Sequence, residues 1–169
     1  MAYLIQNNVK GKYLYTTEFI PEGKIIRHLN KENVSEEITY QSIQVGKNLH
    51  FLQDDFFSNL NHSCEPTTII DTKNYVIIAN RDIRPGEELN FFYPSTEWKM
   101  AQPFHCECGS ENCIGYLEGA YNVSINCMQQ HFINDHIKEE IMNLVKNNNR
   151  TYIDSITIQE GTDELWKVG

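Results

Sequence analysis

The sequence predicts a mainly β fold closed by a C-terminal helix. Three observations carry this. Short apolar runs separated by Gly/Pro turns fill the chain up to about residue 100, no helical period interrupts them, and a set of isoleucines at helical spacing follows.

The elements follow in order. "KYLYTT" precedes "EFIPEGK", where Pro21 and Gly23 supply turn chemistry, and Lys24–Leu29 reads as a strand, so this stretch predicts a hairpin. "NYVIIANR", the turn at Pro85 and Gly86, and the strand Glu88–Tyr93 predict a second hairpin with the same kind of turn. Between them Thr39–Gly46 reads as another short strand, and "FLQDDFFSNLNHSCEPTT" has no clean period. In the tail, Ile133, Ile137, Ile141, Leu144 and Val145 define an amphipathic helix with a break near Asn134–Asp135, and the Asn147–Asn149 run ends it. The residues beyond are weakly patterned. No Pro-, Gly- or Ser-rich linker sets the tail apart, so one domain is expected, with the helix as core packing.

At 169 residues, with 40% hydrophobic and 22% charged residues, the composition is that of an ordinary globular chain. It has no run of about 18 apolar residues, so no membrane span is expected. The first residues lack the pattern of a secretory signal. The five cysteines are an odd number, and three of them fall in "FHCECGSENCIG" as C-x-C-x4-C. That pattern fits metal ligation in a reducing compartment better than disulfides, which predicts an intracellular protein of cytoplasm or nucleus. The net charge of −9 disfavours direct nucleic-acid binding and fits a basic partner such as a lysine-rich tail. Nothing in the pattern fixes an oligomeric state.

Cys106, Cys108 and Cys113 make three zinc ligands, and a closed structural site needs a fourth. His105 is adjacent to Cys106 and poorly placed to share its ion. Cys127 and His131 stand four apart in the helical region and either could serve. Spacing alone does not select Cys64.

Asn61-His62-Ser63-Cys64, then "GEELNFFYPS", then C-x-C-x4-C-x-G, occur in an order that resembles the SET-domain protein lysine methyltransferases with their post-SET zinc clip. "KGKYLYTTEFIPEGKII" adds a weaker N-terminal match, and together these cover about residues 9–117. The resemblance implies a SET fold, with small curved sheets around a knot-like core. Residues 1–103 would form the SET domain, 104–119 the post-SET zinc segment, and 120–169 a helical extension on the same domain. It also implies that Cys64 joins Cys106, Cys108 and Cys113 around one structural Zn2+, leaving Cys127 as a spare thiol.

By the same resemblance the cofactor is S-adenosylmethionine. Asn61 would hold it by its amide and His62 mainly by its backbone, Gly11, Lys12 and Tyr13 would wrap its methionine end, and Tyr116 and Leu117 would cover the adenine unless they pack in the core. Tyr93 matches the catalytic tyrosine, while Phe91 and Tyr40 are expected along the lysine channel, Phe91 favouring states beyond monomethylation. The implied activity is lysine N-methylation of a basic protein or tail such as a histone. The alternatives are a catalytically silent SET-like module that binds a peptide or partner, and a metalloenzyme using the cysteine cluster, which a four-ligand zinc disfavours. The sequence departs from the family pattern at Tyr13, where a glycine is usual, and at Phe92, where an aspartate is usual. The absence of a cysteine-rich preceding segment and the short length predict a minimal, free-standing member.

Overall fold

A computed structural model describes residues 3–8, 11–39, 42–52 and 55–147. The strands are β1 (Tyr3–Asn8), β2 (Gly11–Thr16), β3 (Ile25–His28), β4 (Val34–Ser35), β5 (Ile43–Gly46), β6 (Leu49–Phe51), β7 (Asn61–His62), β8 (Thr68–Asp71), β9 (Val76–Ala79), β10 (Glu88–Phe91), β11 (Phe104–His105) and β12 (Tyr116–Leu117). Among the described residues two helices follow, α1 (Ile125–Met128) and α2 (Asp135–Asn147). The expected mainly β class with a helical C-terminus is what is found.

These strands form small separate sheets ordered β1-β2-β10-β7, β3-β9-β8, β4-β6-β5 and β11-β12. Neither predicted hairpin forms. β2 pairs with β1 and β10, and β3 pairs with β9, so each Pro-Gly turn carries the chain from one sheet to another. The turns themselves are as expected, with Lys24 N–H donating to the Pro21 carbonyl and Glu87 N–H to that of Arg84. The connection from Thr16 to Ile25 is too long for the two-residue loop that locks a tight hairpin. Ile20 and Ile83, at equivalent places in the two segments, instead bridge to each other and are almost fully buried. The two similar segments are therefore partners, and their strands exchange neighbours.

One core lies beneath these sheets, built from residues such as Leu14, Ile70, Ile77 and Leu89. A second gathers Phe92, Leu117, Met128, Ile133, Ile137 and Ile141, and Tyr93 packs against both. α2 buries its isoleucines as predicted, and the break falls at Asn134. This residue is 2% exposed; its side-chain N–H group donates to the Ile70 and Ser95 carbonyls, while its oxygen accepts from the Thr72 N–H and hydroxyl. Gly119, at φ 126°, lets the chain after β12 press onto Trp98–Lys99, where a Cβ would overlap the Trp98 carbonyl.

Candidate active site and metal centre

β11 and β12 pair antiparallel, and between them the chain turns back through a knuckle. Gly109 and Gly115 take positive φ there, Cys106 N–H donates to the Gly115 carbonyl, and Cys113 N–H donates to that of Ser110. This brings Cys106, Cys108 and Cys113 together. The buried Cys64, from the loop after β7, completes the group, and the four sulfurs lie within 4.8 Å of one another. Cys64 Sγ and Cys106 Sγ are 4.0 Å apart, and tetrahedral zinc with bonds of about 2.3 Å needs sulfurs about 3.8 Å apart. Four thiols gathered this closely are a donor set that fits zinc, the wider sulfur pairs needing to draw together to reach that spacing. Ser110 also donates to Glu65, a second tie between knuckle and loop. Cys127, half-buried on α1, is outside the cluster, and His105 is exposed against the Tyr116 ring.

The thiols carry the electrostatic signature of crowding. Burial, with Cys106 and Cys108 close by, pushes Cys64 far up, and burial raises Cys106 to about 12. Burial acts upward on Cys108 too, but N–H groups of Cys64 and Ser110, together with the Cys106 and Cys113 thiols, outweigh it and bring this thiol down to about 7. A divalent cation would displace all of these protons.

β7 and β10 run parallel, with Asn61 beside Asn90 and His62 beside Phe91. This register sets the His62 ring against the start of the turn Tyr93–Ser95. Tyr93 N–H donates to His62 Nδ1 at 3.2 Å, and His62 Nε2 stands 3.4 Å from Cys64 Sγ. Burial, with His131 nearby, lowers His62 to about 4, so the ring is neutral and its proton sits on Nε2, facing the sulfur. His62 thus couples Cys64 to the tyrosine, and its ring is engaged by protein on both nitrogens. The Asn61 side chain is also partly committed, donating to the Lys12 carbonyl and to Glu88.

Two cavities meet at Tyr93 and Phe104. The larger, about 480 Å³, is lined by Asn61, His62, Ser63, Glu88, Asn90 and the knuckle from His105 to Cys108. The smaller, about 170 Å³, is lined by residues including Ser42, Leu60, Phe91, Glu97 and Met100. The Tyr93 ring stands 4.6 Å from Phe91, and its hydroxyl donates to the Leu60 carbonyl at 3.0 Å. Burial, reinforced by the charges of Glu97 and Glu88, pushes this phenol well above its ordinary value. Tyr93 opens a 3-10 turn instead of closing the predicted strand, which stops at Phe91.

The sequence-predicted residues are distributed as follows. Tyr93, Asn61 and His62 line the larger cavity, and Phe91 lines the smaller. Gly11, Lys12 and Tyr13 lie on β2 and are not among the residues lining the larger cavity; the Lys12 carbonyl is tied to it through Asn61. Tyr13 has no positive φ, so the residue standing where a glycine is usual costs no backbone strain. Leu117 is fully buried in the second core, and Tyr116 is 44% exposed, so neither lines the larger cavity and core packing accounts for Leu117. Tyr40 lies outside the described residues. Phe92 stacks on His131 at 3.9 Å, so the residue replacing the usual aspartate anchors the C-terminal segment. Sequence reasoning missed Glu88, Asn90, Glu97 and Phe104. Of these, Glu97 had a signal: it is a carboxylate four residues after Tyr93 in an otherwise uncharged stretch.

Comparison with known proteins agrees with this geometry. The SET domain family matches residues 11–94. The chain is 34% identical over 139 residues to Methyltransferase flvH of Aspergillus flavus, covering 78% of each. It is 33% identical over 119 residues to the histone-lysine N-methyltransferase, H3 lysine-36 specific, of Aspergillus oryzae, covering 63% of this chain and 12% of that one. In fold it is similar to KRYPTONITE, solved in complex with mCHG DNA and SAH, with a TM-score of 0.54 at 20% identity over 66% of this chain and 28% of that one. The chain thus spans a small part of some relatives and most of another. The fold, the ordered motifs and a relative matched along most of both lengths converge: this chain belongs to the SET-domain family of methyltransferases.

Proposed function

We propose that the chain is an S-adenosylmethionine-dependent protein-lysine N-methyltransferase acting on a basic protein or tail such as a histone, as the names of its H3 lysine-36 specific relatives encourage. The observation that carries this reading is the pair of cavities with Tyr93 and Phe104 as their common wall. The larger has the volume of a small-molecule site and mixes polar side chains with an aromatic ring. There Asn61, the His62–Ser63 backbone and Asn90 would hold the cofactor, with Gly11, Lys12 and Tyr13 at its methionine end. Bound S-adenosylmethionine supplies an electrophilic methyl group on sulfur. The smaller cavity would take a lysine side chain, which reaches the wall from the other side.

Tyr93 then acts as an orienting group. Its proton is given to the Leu60 carbonyl, so its oxygen has lone pairs left to accept an N–H from the amine and aim the amine's own lone pair through the wall. Burial keeps the group a phenol, which suits positioning and not proton abstraction. Phe91 adds an apolar surface without a hydroxyl, leaving room for an amine that already carries methyl groups. The cysteine group would hold one structural zinc, with all four positions filled. In the same reading residues 1–103, 104–119 and 120–169 are the SET portion, its zinc segment and a helical extension, and a nuclear or cytoplasmic location goes with the substrate class.

The test is transfer of labelled methyl groups from S-adenosylmethionine to histones and to a cell lysate, mapped by mass spectrometry. Label on lysine, with di- or trimethyl product from the natural chain and only monomethyl product from Phe91→Tyr, is expected. No label on any lysine, together with no thermal shift at millimolar cofactor in zinc-replete protein, would reject the enzyme in favour of a silent peptide-binding module.

A further inference from the structure

The smaller cavity contains a carboxyl group that its fold does not neutralise. Glu97 lies on the cavity wall with Tyr93, Phe91 and Leu60, and among the described lining residues there is no Lys, Arg or His. Its carboxyl is fixed from one side only: Gln44 N–H donates to Oε1 at 2.7 Å and the Thr96 hydroxyl to the same atom at 3.2 Å. Gln44 is itself locked, its side-chain oxygen accepting from Trp98 N–H at 2.9 Å. The bracket therefore holds one oxygen and leaves the other without a bond among those described. The remaining ionisable group on the wall is Tyr93, a neutral phenol, with Glu88 acting on it from β10. Glu97 is half-buried, and a carboxylate drawn partly out of water without a counter-ion is costly unless a cation arrives from outside.

We propose that Glu97 is the ammonium-binding carboxylate of this cavity, selecting a primary amine that enters in its charged form and seating it beneath the Tyr93 hydroxyl. This rests on the reading of the cavity as the substrate side and deepens it, by stating how a cationic side chain is told from a neutral one of equal length.

The experiment titrates the protein, loaded with S-adenosylhomocysteine, with n-butylammonium, following the methyl resonance of Met100 on the cavity wall. A parallel titration uses 1-butanol. Glu97→Gln keeps an oxygen to accept from Gln44 and removes the charge. The variant is expected to bind butylammonium at least ten-fold more weakly and butanol unchanged, and in methyl transfer to raise KM for a lysine peptide more than it lowers kcat. Butylammonium binding within two-fold of the parent, or equal losses for ammonium and alcohol, would overturn the assignment. The two readings separate: Glu97-dependent ammonium binding without any methyl transfer would leave this site standing and remove the enzyme, whereas transfer with an unaltered KM in Glu97→Gln would do the reverse.

Discussion

At the scale of single residues, Tyr93 and Glu97, to which the proposals above give the work of one cavity, stand four positions apart, with Glu97 N–H donating to the Tyr93 carbonyl at 2.9 Å. Tyr93→Phe removes the orienting oxygen and leaves the ring in place. Methyl transfer should fall by about 10²–10³-fold, the usual cost of one preorganised polar group at a reacting centre, while S-adenosylhomocysteine affinity measured by calorimetry stays within two-fold. Glu97 leaves a mark on stability as well. Its folded value of about 7 exceeds the ordinary 4.5, so the folded chain binds more protons between those limits. The stability it contributes is therefore full below pH 4.5 and declines as pH rises towards 7, by on the order of 3 kcal/mol. His62 has the opposite sign. Lowered by burial to about 4, it contributes stability above its ordinary 6.5 that is lost as pH falls from there towards 4. The difference between Glu97→Gln and the parent isolates the first effect: in urea unfolding the variant should gain on the parent between pH 5 and pH 8. An unchanged difference across that range would mean the carboxyl is solvated.

Among the elements, α2 is the one whose role the family motifs leave open, and Asn134 shows how it is attached. The residue supplies the first helical acceptor, its carbonyl taking the N–H groups of Ile137 and Lys138, and its side chain ties β8 to the turn that carries Tyr93. Asn134→Ala leaves a set of buried polar groups unsatisfied and should cost about 2–4 kcal/mol. The loss is expected in the midpoint of chemical denaturation, along with a drop in transfer rate larger than that from a surface change on α2 such as Glu139→Ala. Equal effects of the two would detach the helix from the active turn. The predicted helix with its break was readable because isoleucines repeat at 3.6 residues. The polar hub at the break was not, because nothing local marks an asparagine as buried beneath a distant strand.

For the whole molecule, the cysteine knuckle is both a clip and a wall. Cys106 and Cys108 line the larger cavity, and Cys64 is joined through His62 to the backbone of Tyr93. Removing the proposed zinc should therefore do more than soften a remote lobe. One zinc per chain is expected by elemental analysis, and a strong chelator or Cys108→Ser should lower the thermal midpoint and also abolish the shift produced by S-adenosylhomocysteine. A cofactor shift that survives chelation would show that the knuckle is only scaffolding. The net charge of −9 bears on this scale too, favouring encounter with a basic tail; it excludes no partner by itself.

The chemistry-bearing letters were legible in the chain: the Asn-His-Ser-Cys run, the tyrosine after "ELNFF", the cysteine knuckle and the two Pro-Gly turns are local signals, each made by a few adjacent residue types whose geometry or ligand preference is their own. The pairing of those turns across the molecule and the arrival of Glu97 in the cavity were decided only in three dimensions, and so was the grouping of Cys64 with the knuckle, which spacing left open and only the family resemblance supplied. Each of these depends on burial and on the neighbours that distant segments supply, and sequence spacing carries no energy for a contact until the fold has closed the loop between its partners.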